Sequence, residues 1–161
     1  EKNLSNLENF KLMNFALGKD NTEDTMSIPF SELDRLSNLG LMSIGSKSNI
    51  LKEKIFIKKF DLLKMKEKIK SNTYIKIDVE GYENNVVLGM SKFLDEQENL
   101  YLKIEVNRKY KNEKNIQELI NFFEKKNYRF FLLEKNIFVN YDIKDILKKL
   151  IFRNIELFIK K

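Results

Sequence analysis

The chain has 161 residues and a formal net charge of +6, and 42% of its residues are hydrophobic and 34% charged. This is the size and composition of one soluble globular domain with a core of its own. The chain contains no cysteine and no histidine, which excludes disulfides, thiolate chemistry, zinc–thiolate sites and any site that relies on histidine. Acid–base chemistry must therefore use carboxylates, lysines or tyrosines.

Location and partners are predicted from three further patterns. No apolar run approaches the roughly 18 residues needed to cross a bilayer. The first residues, beginning at Glu1, contain no apolar signal segment, so we expect a cytoplasmic protein without a membrane span. Lysines are interleaved with glutamates and asparagines, which favours solvated surfaces over a nucleic-acid interface. None of these patterns indicates an oligomeric state.

Apolar spacing predicts strands that alternate with helices. In chain order, the first elements are a strand at 10–17, a helix at 31–39, a strand at 54–60 and a helix from Asp61 to 70. They are followed by a strand at 74–79, a helix at 83–95, a strand at 99–106, a helix at 115–126, a hairpin of strands at 128–133 and 137–140, and a helix from Asp142 through Ile151. Apart from the helix at 31–39, residues 22–48 are rich in Ser, Thr, Asn and Gly and are expected to be irregular. This order predicts an α/β sandwich whose sheet is mostly parallel with an antiparallel edge.

The most informative stretch is Tyr74–Asn85, where a strand, an acidic turn and a helix follow one another. Its first half is rich in β-branched and aromatic residues, which favour a strand. Gly81 suits the tight turn, and Glu83 lies where the N-terminus of a helix favours negative charge. Because ligands bind at the carboxyl ends of strands in open α/β sheets, Asp78 and Glu80 are candidate site residues.

The run from Ile75 to Glu83 reads Ile-Lys-Ile-Asp-Val-Glu-Gly-Tyr-Glu, and Val87-Leu88-Gly89 follows it. It resembles the hallmark of the FkbM-type methyltransferases, which is a lysine-hydrophobic-Asp-hydrophobic-Glu-Gly-aromatic-Glu run with a later Leu-Gly. Shorter similarities to the same family lie at Asn14–Gly18, Phe60–Leu63, Leu102–Val106 and Asn127–Phe130. The resemblance extends over residues 7–139, and the central run is specific enough to carry it.

The resemblance implies a Rossmann-like methyltransferase that uses S-adenosylmethionine to methylate a hydroxyl of a sugar or another small-molecule or glycan acceptor. In that fold the strands at 74–79 and 99–106 are neighbours, so Asp78, Glu80 and Glu105 should converge at one rim as catalytic residues. Three carboxylates without an obvious basic partner should raise at least one carboxyl pKa and provide a general base. By the same resemblance, the cofactor-binding residues are Asn14, Ala16 and Leu17.

Each carboxylate also has a structural interpretation. Glu80 would cap the following helix and Glu105 would pair with a lysine or arginine, whereas Asp78 ends an apolar strand and needs partners if buried. A further interpretation uses Asp78, Glu105 and Asn107 as oxygen ligands of Mg²⁺, as in metal-dependent catechol-type methyltransferases. The spacing does not demand a divalent metal, so this interpretation is not favoured.

The fold implied by the resemblance binds its cofactor through a glycine-rich loop after its first strand, and none of the five glycines here forms Gly-x-Gly. The strand at 10–17 matches the third strand of that fold, so we expect residues 1–161 to be a single domain that lacks its N-terminal strands. The strand at 10–17 should then have no proper neighbour, and the strand at 74–79 should keep an open edge. On this interpretation the chain alone neither folds stably nor binds cofactor tightly.

Three functions remain open. We favour an FkbM-like O-methyltransferase; the others are a non-catalytic methyltransferase-like interaction module and a basic nucleic-acid-binding domain. A glycine-rich loop and an acidic strand end upstream would separate the enzyme from the interaction module. A salt-dependent gel shift would test for nucleic-acid binding.

Overall fold

The structure is a computed structural model that describes residues 10–27, 43–44, 52–63, 72–107, 113–152 and 154–161. The strands are β1 (Ala16–Leu17), β2 (Thr22–Ser27), β3 (Ser43–Ile44), β4 (Lys52–Lys58), β5 (Thr73–Ile77), β6 (Leu100–Val106), β7 (Arg129–Glu134), β8 (Ile137–Tyr141) and β9 (Ile155–Lys160). The helices are α1 (Glu83–Gly89), α2 (Ser91–Glu96), α3 (Glu113–Glu124) and α4 (Ile143–Phe152), and a 3-10 turn covers Phe60–Leu62.

The described strands form two mixed sheets. The first has the order β1-β4-β2-β3 and the second the order β5-β6-β9-β7-β8. Each contains a single parallel pair, β1 with β4 and β5 with β6, and all other pairings are antiparallel. The prediction of a mostly parallel Rossmann-like sandwich is therefore wrong for the described part of the chain. The predicted antiparallel hairpin near the C-terminus is present as β7 and β8.

Strand β9 was not predicted, and it changes the second sheet most. Its side chains alternate, with Ile155, Leu157 and Ile159 buried and the residues between them more exposed. This period of two is the pattern of a strand. Helix α4 ends at Phe152, and the chain then returns antiparallel between β6 and β7. The parallel order is lost because an antiparallel strand separates these two.

The first sheet also differs from the prediction. Within the predicted strand at 10–17, only Ala16–Leu17 is a strand, and it pairs with Ile57 and Lys58, so the expectation that it lacks a neighbour is wrong. The six residues of β2 were expected to be irregular, but all pair with β4. Tertiary pairing has overridden their polar composition. The helix predicted at 31–39 lies outside the described residues.

The helix predicted at 83–95 is interrupted at Met90, whose ψ of 17° separates α1 from α2. The N–H groups at the start of α2 donate to Asp61, from Lys92 to Oδ2 at 3.0 Å and from Phe93 to Oδ1 at 2.9 Å. Asp61 was predicted to begin its own helix, and it instead lies in the 3-10 turn and caps α2 from a distant part of the chain. Residues 64–70 of that predicted helix lie outside the described residues.

The hydrophobic core lies against one face of the second sheet. The alternate residues Leu100, Leu102 and Ile104 of β6 are at most 1% exposed, and they belong to one cluster with buried side chains of all four helices. Burial of each such side chain stabilises the fold by about 1.5–3 kcal/mol. None of the described helices has the length and apolar character that crossing a membrane requires.

Candidate functional site

Two of the sequence motifs that resemble the family are in contact. The loop after β1 passes so close to the end of α1 that a Cβ on Gly89 would lie 2.7 Å from the carbonyl carbon of Gly18. A Cβ on Gly18 would lie 2.6 Å from Ile57 Cγ2 and 3.2 Å from the Tyr82 ring. Both glycines are therefore required by close approach. Their contact joins the first sheet to the helix that follows the acidic turn.

The acidic turn, residues 78–82, connects β5 to α1 through an unusual backbone. Glu80 has a φ of 49° and Gly81 a φ of 97°, so two consecutive residues are in the left-handed region. Glycine adopts this conformation freely, whereas glutamate does so at a cost. Strand β5 positions the turn, since Ile77 pairs with Ile104 of the parallel strand β6. Asp78 and Glu105 are the next residues on these two neighbouring strands.

Asp78 lies at the exposed end of β5 and forms an ion pair with Lys76, whose Nζ is 2.9 Å from Oδ2. The hydrogen bond and charge of Asp78 raise the pKa of Lys76, and the charges of Glu105 and Glu156 add smaller contributions. The expectation of three carboxylates without a basic partner is therefore wrong for Asp78. Lys76 and Asp78 share a face because they lie two residues apart along the strand direction.

Glu80 reaches from the turn to the end of β6. Its Oε2 accepts a hydrogen bond from Asn107 Nδ2 at 3.3 Å, and its side chain is half-buried. This contact differs from the helix-capping role that its position in the sequence also allowed. It places a second carboxylate of the turn beside the end of the neighbouring strand.

Glu105 is half-buried on β6, and its cross-strand neighbour on β9 is Glu156. Like charges directly opposite one another repel, and Lys103 reduces this repulsion by pairing with Glu156 at 2.6 Å. Glu156 was missed because β9 was not predicted, although the alternation Ile-Glu-Leu-Phe-Ile-Lys was a usable signal. We call Asp78, Glu80, Glu105 and Glu156 the acidic rim.

Glu83 is a carboxylate that the sequence analysis places only at the start of a helix and not among the candidate site residues. It is 8% exposed, and its Oε1 accepts the N–H of Gly81 at 3.0 Å. Burial raises its pKa; backbone N–H groups of Gly81, Glu83 and Val79 oppose this shift, and the charge of Glu80 adds to it. The carboxyl of this stretch with a raised pKa is thus buried beneath the turn.

The residues assigned to cofactor binding lie on and before β1. Asn14 is exposed, Ala16 and Leu17 are half-buried, and Leu17 packs against the hydrophobic core. An exposed amide beside apolar side chains fits the hydrogen-bonding edge and flat face of a purine. The set contains no charged group.

The metal interpretation gains no support from the described residues. Among them, no group of three or more aspartates and glutamates is arranged to hold a metal ion. Asp78 is paired with Lys76, and the amide of Asn107 donates to Glu80. A hard cation prefers several converging oxygens, and these two contacts do not provide them.

Comparison with known proteins gives the family. Neither the search of curated proteins nor the search of solved structures found a match. The family model described as the methyltransferase FkbM domain matches residues 1–130, a range that includes β5, the acidic turn and β6. The resemblance drawn from the residues is confirmed by this match over most of the chain. The chain therefore belongs to the FkbM methyltransferase domain family.

Proposed function

We propose that this chain functions as an S-adenosylmethionine-dependent O-methyltransferase that acts on a hydroxyl of a sugar or another small-molecule or glycan acceptor. Family membership supports methyl transfer. The observation that supports a hydroxyl acceptor is the acidic rim, of which Asp78, Glu80 and Glu105 lie at or beside the ends of two neighbouring parallel strands. Ionised carboxylates accept hydrogen bonds from hydroxyl groups, and a polyhydroxylated acceptor offers several.

Methyl transfer to oxygen requires the acceptor hydroxyl to lose its proton as the new O–C bond forms. We propose that Asp78 accepts this proton as the general base, because it lies exposed at the end of β5 with only one ion-pair partner described. Glu80 and Glu105 would bind neighbouring hydroxyls and orient the acceptor. Glu80 is suited to orientation because Asn107 holds its carboxylate.

S-adenosylmethionine would supply an electrophilic methyl group on a sulfonium sulfur. Asn14, Ala16 and Leu17 would hold its adenine end, with the Asn14 amide available for hydrogen bonding and the two apolar side chains for contact with the ring. The contact between Gly18 and Gly89 would keep this segment beside α1 and the acidic turn.

A methyl-transfer assay tests the proposal. S-adenosylmethionine with a labelled methyl group is incubated with the protein and a panel of monosaccharides, glycans and aliphatic alcohols. Asp78→Asn should lower turnover by about 10²–10⁴-fold, the usual contribution of a general base, while cofactor binding measured by calorimetry stays the same. Unchanged turnover in this variant would reject Asp78 as the base.

A matched control is Asp145→Asn. Asp145 forms an exposed ion pair with Lys148 at 3.2 Å, which resembles the pair of Asp78 with Lys76 but lies on α4. Its substitution should leave turnover unchanged. Equal losses in both variants would indicate a general effect of removing a surface carboxylate, and would count against a specific role for Asp78.

A further inference from the structure

The side chain of Glu83 lies beneath the acidic turn and contacts its backbone. Its Oε1 accepts the Gly81 N–H at 3.0 Å. Gly81 follows Glu80, and both residues adopt left-handed backbone angles. One buried carboxylate is thus bonded to the backbone directly after the strained residue.

A conformation of this kind persists only where surrounding contacts hold it, because left-handed glutamate is disfavoured by sterics. Within the turn, the Tyr82 N–H donates to the Val79 carbonyl oxygen at 3.3 Å, and the contact of Glu80 with Asn107 joins side chains only. Glu83 adds a side-chain contact to this backbone, at the Gly81 N–H. Its burial costs free energy, and hydrogen bonds from the backbone to a charged acceptor offset that cost.

We propose that Glu83 is a positioning residue of the acidic rim, whose carboxylate holds the backbone of the turn so that Glu80 faces Asn107 and the acceptor. This inference rests on the proposed function for its catalytic consequence. Glu83 is not the base itself, since it is 8% exposed and its Oε1 accepts the backbone N–H of Gly81.

The first test measures the turn directly and does not depend on any substrate. Amide hydrogen exchange of Gly81 is followed by NMR in the wild type, Glu83→Ala, Glu83→Gln and the control Glu124→Ala, in which an exposed helical glutamate is removed. Loss of the bond in Glu83→Ala should speed exchange by about ten- to a hundredfold, as expected for a hydrogen bond to a charged group. Glu83→Gln keeps one acceptor oxygen and should fall between.

Unchanged Gly81 exchange in both Glu83 variants would overturn the inference, whatever the chain methylates. Should Glu83→Ala fail to fold, Glu83→Gln alone decides, because it keeps the size of the side chain. Faster exchange in Glu124→Ala as well would show a general loosening and would also overturn the inference.

The second test asks whether Glu83 acts through Glu80. In the methyl-transfer assay, Glu83→Ala should lower kcat by about tenfold or more and leave the KM for S-adenosylmethionine unchanged. In a background of Glu80→Gln, the same substitution should cause no further loss, since residues that act as a unit are non-additive. Additive losses would show that Glu83 does not act through Glu80. A wild type that binds S-adenosylmethionine in calorimetry but transfers no methyl group would refute the proposed function, and Gly81 exchange would still decide whether Glu83 holds the turn.

Discussion

Gly89 at the end of α1 packs directly against the carbonyl group of Gly18 in the loop after β1. A Cβ on Gly89 would lie 2.7 Å from the carbonyl carbon of Gly18, with no flexible side chain between them that could move aside. The two glycines end the two motifs, Asn14–Gly18 and Val87-Leu88-Gly89, that the sequence related to one family. Their contact explains why both motifs end in glycine and joins the first sheet to α1.

Gly89→Ala should destabilise the protein despite the better helix propensity of alanine. The propensity gain is about 1 kcal/mol, and overpacking typically costs 1–3 kcal/mol or more where backbone must move. Urea unfolding followed by circular dichroism measures the difference. The control is Lys92→Ala, an exposed position on α2. A Gly89→Ala protein as stable as the wild type would show that the two segments separate easily.

Asp61→Ala should destabilise the protein by about 0.5–2 kcal/mol, the usual range for loss of a helix cap. Both Asp61 oxygens accept backbone N–H groups of α2, so Asp61→Asn should cost less because it keeps one acceptor. Urea unfolding of the two variants beside the wild type measures both losses. Equal stability of all three proteins would contradict the capping of α2 by Asp61.

Leu157→Ala should cost about 2–5 kcal/mol, because Leu157 is 1% exposed on β9 within the core. Glu156→Ala, one residue earlier, removes an ion pair at the surface and should cost at most about 1 kcal/mol. Chemical denaturation of both variants tests the alternation. Similar losses at both positions would be inconsistent with a strand that is buried on one face.

The pH dependence of stability should differ between the wild type and Glu83→Gln. Burial raises the pKa of Glu83 in the folded protein above its ordinary value of 4.5, so folding takes up a proton between these two values. The contribution of Glu83 to the free energy of unfolding is then complete below 4.5 and is lost as the pH rises through the folded pKa. Relative to Glu83→Gln, the wild type should become less stable over that window.

Unfolding free energies of both proteins at several pH values from 4 to 7 measure this difference, since the groups they share cancel. The hydrogen bonds that differ between glutamine and glutamate change the free energy of unfolding by an amount that does not depend on pH. A difference that stays constant across the range would show that Glu83 ionises alike in the folded and unfolded chain.

Local patterns determined a good part of this protein. The stretch Tyr74–Asn85 was predicted to be a strand, an acidic turn and a helix, and β5, the turn and α1 are found there. The same residues identified the family, which the match over residues 1–130 confirmed. These predictions succeeded because apolar periodicity, a glycine in a tight turn and a charge at a helix start act within a few residues.

The tertiary structure alone decided which segments pair. It placed β9 between β6 and β7 and gave β1 a partner in β4. It also made Asp61 the cap of α2, a helix that begins 30 residues later. It also decided that Lys76 forms an ion pair with Asp78 and that Glu83 is the buried carboxylate. Such outcomes depend on contacts between distant parts of the chain, and local residue preferences are too weak to specify them.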